Sequence, residues 1–539
     1  MSEVAKCAVC QKPAQQKCSG CHLVYYCSKE HQKDNWKLHK IDCKPFKISN
    51  DPNVGRHLIA TRNLKPGDVI LKEPPIVWGP SQVTIPVCLG CGKGLNAKTS
   101  KPCQKCGWPM CSEICQNSPS HIPECSYTVN RGDKVNISVF DIPNPSYQCI
   151  TVLRCLHSKQ FLSNVWKKID ALESHCEARK GTDKYEQEKI TVVAFIKRFF
   201  KLDSFEDEDI LRICGIIMVN AHEVPLTDPP YVAIFNTTSM FEHSCHANCS
   251  KTFTANGHVL ITAGVDIKKG EHLSICYTDP LWGTANRRHH LQQTKFFWCS
   301  CSRCQDVTEF GTNFSALKCP KKDCKGYALP KTFKEDNLEL SDKSWFCTTC
   351  NYEVGAGEVG GILQDCGTNL SGIRKGNSNA CKVFISNSLK FLHPNHYYLT
   401  DVKFALSQLL GQEFHGGLPK ISDEDLQLKI DICRQLTELA NKIAPAENRI
   451  KGLLLFELHA AIMELGRRRG NSGTEESGPD YLYTKLIDSK KYLVQSIEAL
   501  KNESEVMPEG QICIQARRNL KDIDVLLKTV YNAIGSSPI

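Results

Sequence analysis

Cysteine and histidine recur along this chain at intervals that suit a metal ion. Near the start, Cys7, Cys10, Cys18 and Cys21 form two CxxC knuckles, and the pairs Cys27–His31 and His39–Cys43 follow. A spacing of i, i+4 on a helix puts both side chains on one face, a turn apart, so each pair can share an ion. Eight donors supply two tetrahedral zinc sites. His31 stands where the pattern leads one to expect a thiolate. Neutral imidazole is an equally good zinc ligand, so His31 is read as a ligand of a site with one unit less negative charge.

A second run repeats the order with Cys88, Cys91, Cys103, Cys106, Cys111, Cys115, His121 and Cys125, and here the third pair is all cysteine. A third group, Cys299, Cys301 and Cys304, offers three thiolates and needs a fourth donor. The fourth group is Cys319, Cys324, Cys347 and Cys350, two knuckles either side of a long arm. It reads as a zinc ribbon, structural because protein fills all four positions. Each small finger buries little apolar surface, so metal binding supplies most of its folding free energy, on the order of 10 kcal/mol.

Composition sets the frame for these sites. Most of the 31 cysteines fall into the clusters, which in a reducing compartment speaks for metal and against disulfides. The scattered remainder, such as Cys155, Cys214, Cys381 and Cys433, reads as small buried hydrophobes. A length of 539 residues exceeds one compact core and implies several modules. The net charge of +9 is mild for that length. The lysines of the first finger are dispersed without stacking aromatics, so nucleic acid is not an expected partner. The chain has no run of eighteen apolar residues and no signal-peptide core at its start, so an intracellular protein without a membrane partner is expected.

The elements between the clusters divide by pattern. Residues 53–78 hold short β-rich runs punctuated by Pro66-Gly67 and Pro74-Pro75, a small meander with a turn. Residues 126–235 carry helical patterns. Residues 383–539 are amphipathic helices with short breaks, whose periodicity predicts stacked helical hairpins, with a polar loop over 467–480.

Set beside these patterns, the segments "GRHL" (55–58), "EHSCHAN" (242–248), "GEHLSICYTD" (270–279) and "FFWCSCSRC" (296–304) resemble, in this order, the SET and MYND domain family of protein lysine methyltransferases. The likeness runs from about residue 53 to the end, and the finger in front makes it similar to a two-finger, arthropod-type member. The resemblance implies an α+β multidomain fold. Its parts would be an extra N-terminal MYND finger (1–46), the start of a split β-rich SET domain (47–87), an inserted MYND-like finger (88–125), a helical insert (126–235) and the core SET (236–298). A post-SET segment with the zinc ribbon (299–355) and an all-α TPR-like domain (356–539) would complete it.

The same resemblance assigns ligands and roles. In each finger the first and third pairs share one zinc and the second and fourth share the other, and Cys245 completes the site of Cys299, Cys301 and Cys304. The cofactor is S-adenosylmethionine, contacted by Gly55, Arg56, His57, Ser239, Glu242 and His243, with Phe297 against the adenine. Tyr277 is the catalytic tyrosine, and the product is a methylated protein lysine, histone lysines among them. Three positions depart from the family pattern: His57 replaces a glycine, Glu242 an asparagine and Ala247 a proline. Because glycine alone adopts positive φ freely, His57 is expected to strain or reshape the cofactor loop. These departures keep an alternative open, a non-catalytic scaffold or corepressor that binds partners through its fingers and C-terminal helices. The expected protein is a monomer of the cytoplasm and nucleus. Metal analysis of the purified chain should find about six zinc ions. His31→Ala should remove the ion of the first site and leave the second finger loaded.

Overall fold

The computed structural model describes residues 5–19, 24–52, 54–334, 344–413, 416–470 and 478–535. Cys21 and the middle half of the polar loop expected over 467–480, residues 471–477, lie outside the described residues. In the first finger a two-stranded hairpin, Gln16–Lys17 with Tyr25–Tyr26, leads into the helix Lys29–Cys43. Ser28 caps that helix, its Oγ accepting the His31 N–H. Cys27 therefore lies just ahead of the helix and not on it. The capping turn, more than helical spacing, brings its sulfur to 3.1 Å from His31 Nδ1.

The β-rich core is assembled from segments far apart in the chain. Phe46–Asp51 pairs with Gly55–Ala60, while Val69–Glu73 joins a three-stranded sheet with Val259–Ala263 at its centre and Cys249–Phe253 at its other edge. Val77–Pro80 pairs with Tyr231–Ile234, which also pairs with His222–Val224. The second finger and a helical region ending with Asp207–Asn220 occupy the interval between these halves. The helical insert expected over 126–235 thus stops earlier: its last part is strand, because Val224, Ala233 and Phe235 are needed in one core with Leu58 and Ile261. A short parallel pairing joins Glu242–His243 to Ser274–Ile275. Asn248 fastens the two segments, donating from Nδ2 to the His272 carbonyl (2.7 Å) and accepting the Ser274 N–H (2.9 Å).

After the core, four short strands form an antiparallel ribbon in the order Leu317–Lys318, Tyr327–Leu329, Trp345–Cys347, Glu353–Val354. Helices fill the rest. Tyr397–Leu409, Asp423–Ile443, Asn448–Gly470, Pro479–Leu500 and Pro508–Gly535 each pack on the next, and Asn448–Gly470 also touches Tyr397–Leu409 and Pro508–Gly535, the pattern of stacked helices. Closeness between two of them has a single-residue cause. A Cβ on Gly452 would lie 2.4 Å from Leu500 Cγ, so glycine there allows the approach that lets Ser496 Oγ donate to the Gly452 carbonyl at 2.7 Å. No described helix is long and apolar enough to cross a membrane.

A buried ion cluster locks the helices to the core. Glu309 accepts from Arg303 Nε (2.7 Å), and Arg287 Nη2 lies 3.1 Å from the same oxygen. Arg303 Nη1 also donates to the carbonyls of Pro280 (2.8 Å), Cys245 (3.3 Å) and Ile443 (3.2 Å). Burial alone would raise the Glu309 carboxyl, but the two guanidiniums hold it below its usual range. Glu309→Gln removes the charge facing two buried cations and should cost about 3–5 kcal/mol, read as a lowered denaturation midpoint.

Candidate active site

Five of the six expected donor sets come together among the described residues. Cys7, Cys10, Cys27 and His31 converge, as do Cys88, Cys91, Cys111 and Cys115, and Cys103, Cys106, His121 and Cys125. Cys245 joins Cys299, Cys301 and Cys304, and Cys319, Cys324, Cys347 and Cys350 form the ribbon site; in every set the donor atoms lie within 4.8 Å of one another. In the second site of the first finger Cys18 and Cys43 are 3.7 Å apart and His39 is buried. Sulfur separations such as 3.5 Å for Cys245–Cys304 and 3.7 Å for Cys319–Cys350 match the edge of a tetrahedron built on bonds of about 2.3 Å. The donor chemistry therefore fits zinc.

One partner of these ligands carried no signal in the spacing. His121 faces its cluster through Nε2, 3.3 Å from Cys106 Sγ, while its Nδ1 lies 3.0 Å from Glu124 Oε1. Glu124 is fully buried and clasped by Arg154, Nε to Oε2 at 3.0 Å and Nη2 to Oε1 at 2.8 Å. The carboxylate sets the tautomer and orientation of the imidazole, and the arginine makes its burial affordable.

A cavity of about 1280 Å³ gathers residues from most of the chain. Gly55, Arg56, Ser239, Glu242, His243, Tyr277 and Phe297 all line it, and the C-terminal part adds Arg449 from the helix Asn448–Gly470 and Glu503 and Met507 from the link between Pro479–Leu500 and Pro508–Gly535. Gly55 carries the positive φ, 69°. Arg56 donates to the Ala171 carbonyl, and Ser239 Oγ donates to the Phe235 carbonyl at 2.6 Å. Glu73 anchors the turn that bears Ser239, accepting the N–H groups of Thr237 (2.8 Å) and Thr238 (2.9 Å).

His57 is the exception among the expected cofactor contacts. It is buried, lies in the strand Gly55–Ala60 and is absent from the cavity wall. The requirement for left-handed backbone falls on Gly55, so residue 57 needs no strain and the loop is not distorted by its side chain. Its ring stacks on His272, centroids 4.3 Å apart, and His272 Nδ1 lies 2.9 Å from Glu242 Oε2. Two of the three departures from the family pattern are thus one contact network, in which His57 backs the imidazole that holds the Glu242 carboxylate.

His243 is fixed by both ring nitrogens. Its Nδ1 accepts the Tyr277 N–H at 3.0 Å, which leaves Nε2 as the donor toward Cys245 Sγ at 3.2 Å. It lines the cavity and acts as a strut between the Cys245 cluster and Tyr277. The Tyr277 hydroxyl donates to the Phe241 carbonyl, and burial, then Glu242, raise its pKa, so the phenol stays neutral. Spacing alone did not single out Lys251, Lys295 or Glu503, which also line the cavity. Glu503 accepts from Thr252 Oγ1 at 2.9 Å, and burial pushes its carboxyl up to about 7.

With this geometry in view, the comparisons with known proteins agree on two modules. Residues 7–43 match the MYND finger and residues 55–278 match the SET domain. The chain thus carries both modules that define the SET and MYND domain family. It is 30% identical to the Drosophila melanogaster "SET domain-containing protein SmydA-8, isoform A" over 56% of this chain and 64% of that protein. It is 23% identical to the Arabidopsis thaliana "Histone-lysine N-methyltransferase ASHR1" over 60% and 67%. Against the Homo sapiens "Histone-lysine N-methyltransferase SMYD3" it is 26% identical over 49% and 62%. The match to the fly and human relatives thus spans less than two thirds of their length. Cys245→Ala should lower the zinc content by about one ion per chain and leave both fingers loaded, measured by metal analysis of the intact protein and of fragments released by proteolysis.

Proposed function

We propose that this chain is a protein-lysine N-methyltransferase that uses S-adenosylmethionine. The observation that carries the reading is the convergence on one cavity of Gly55, Ser239, Glu242 and Phe297 with Tyr277, beneath a segment tied down by the Cys245 cluster. The names of the plant and human relatives support it. The residues present fit the cofactor. The cavity has room for it, Gly55 removes a side chain from the wall, Phe297 and Trp298 offer apolar faces, and the Glu242 carboxylate can accept from an ammonium. When bound, the cofactor supplies an electrophilic methyl group on a sulfonium.

The chain's own residues then have alignment as their main task. Tyr277, its proton already committed to the Phe241 carbonyl, presents an oxygen lone pair to the entering lysine amine. His243 holds the Tyr277 backbone in place from behind. The apolar walls, Phe241 and Phe253 among them, exclude water and favour the neutral, nucleophilic form of the lysine. Arg449, Glu503 and Met507 form the wall on the C-terminal side, against which a protein substrate would lie.

The TPR-like organisation of the C-terminal helices and the two fingers serve partner binding in this reading, in a monomer of the cytoplasm and nucleus. The Glu242 and Ala247 departures favour a second reading, a scaffold or corepressor that keeps the SET fold as architecture. Calorimetry on the zinc-loaded protein separates the two. Measurable affinity for S-adenosylmethionine is expected, and its absence would sink the enzyme reading. Tyr277→Phe should lower the rate of lysine methylation about tenfold or more while changing cofactor affinity by less than about twofold.

A further inference from the structure

Lys295 ends the helix Thr284–Lys295, and its side chain lines the cavity. Its Nζ donates to the carbonyls of Met218 (3.2 Å) and Val219 (2.6 Å) and lies 5.9 Å from the centre of the Tyr277 ring. Lys251 enters the same cavity from the strand Cys249–Phe253, its Nζ 3.4 Å from His222 Nδ1. Burial, then Lys251 and Lys295, hold His222 well below its usual range and so neutral. One side of the cavity therefore carries two ammonium groups around an uncharged imidazole.

The other charges around this cluster are distributed unevenly. Glu447 and Glu223 act on Lys251, and Arg449 opposes them. Glu242 acts on Tyr277 from across the site. On the helix of Lys295 itself, burial, then Lys295 and His289, depress His290. The Lys295 ammonium donates to backbone carbonyls, which solvate a cation without cancelling its charge.

We propose that the Lys295 ammonium makes this site discriminate by charge between the two forms of the S-adenosyl group, disfavouring the cationic methyl donor relative to the neutral thioether product. The inference rests on the methyltransferase reading above and adds to it a built-in sensitivity to product. Donor and product share the adenosine and amino-acid portions and differ at the sulfur, where one carries a positive charge. A fixed cation in a partly desolvated cavity acts on that difference alone. Burial, then the neighbouring Lys251, bring Lys295 down to about 8. Below that value the ammonium is present and repels the sulfonium; above it the charge is lost and the donor gains relative to the product. By linkage, donor binding lowers the lysine pKa further and expels its proton.

The test is calorimetric titration of the full-length zinc-loaded protein with S-adenosylmethionine and S-adenosylhomocysteine, at about pH 7 and about pH 9.5, either side of the lysine transition. The wild type is compared with Lys295→Met and Lys295→Arg. In the wild type the ratio of donor Kd to product Kd should fall by about tenfold as pH rises. In Lys295→Met it should stay low, and in Lys295→Arg, which keeps its charge throughout, it should stay high. The amino group common to both ligands also titrates, and the variants separate its contribution. A ratio that moves alike in all three proteins overturns the inference while leaving the methyltransferase reading intact. Binding of neither ligand by the wild type overturns that reading, and this inference with it.

Discussion

Four sulfur atoms from two distant parts of the chain hold the site together. Cys245 follows the first strand of the parallel pairing in the core, whereas Cys299, Cys301 and Cys304 come after the helix Thr284–Lys295. Their convergence within 4.8 Å brings Phe297 to the cavity and places Arg303 where it reaches the Cys245, Pro280 and Ile443 carbonyls. Through His243, the same cluster touches the backbone of Tyr277. A metal at that point would be structural in its coordination yet would shape the cavity, because Cys299 and Cys301 line it themselves and Cys245 adjoins Ser244, which also lines it.

The fingers work by a similar economy and with more tolerance. An imidazole at position 31 meets the same cluster as a thiolate would, since either presents one donor atom to the ion. In the second finger His121 depends on a buried Glu124–Arg154 pair, so that finger is anchored to the helix Ile150–Phe161 and not merely inserted in the chain. The first finger is joined to the core chiefly through the hairpin that follows it, Phe46–Asp51 with Gly55–Ala60.

His57 and Glu242 illustrate why a motif departure is hard to judge in one dimension. Read alone, His57 places a bulky residue where a loop needs glycine. In three dimensions it points into the core and stacks on His272, which in turn holds Glu242. Two substitutions separated by most of the domain are complementary, and the backbone freedom they appeared to threaten belongs to Gly55. Alternation along a strand sends neighbouring side chains to opposite faces, so Arg56 lines the cavity while His57 does not.

The candidate metal ligands were legible in the amino-acid order because knuckles and four-residue pairs are local, whereas which pairs share an ion, and Cys245 as the fourth donor to Cys299, Cys301 and Cys304, followed only from the family resemblance. The helical C-terminal part was equally plain from its periodicity. The end of the helical insert was not, since one of the two strands that pair with Tyr231–Ile234 is Val77–Pro80, about a hundred and fifty residues earlier. Nor was the set of charges at the cavity, where Lys251, Lys295 and Glu503 come from three separate elements. The sequence by itself thus determined which residues could bind metal and which family pattern they follow. Tertiary structure decided which side chains share a desolvated space, because electrostatic interaction depends on distance through the fold and not along the chain.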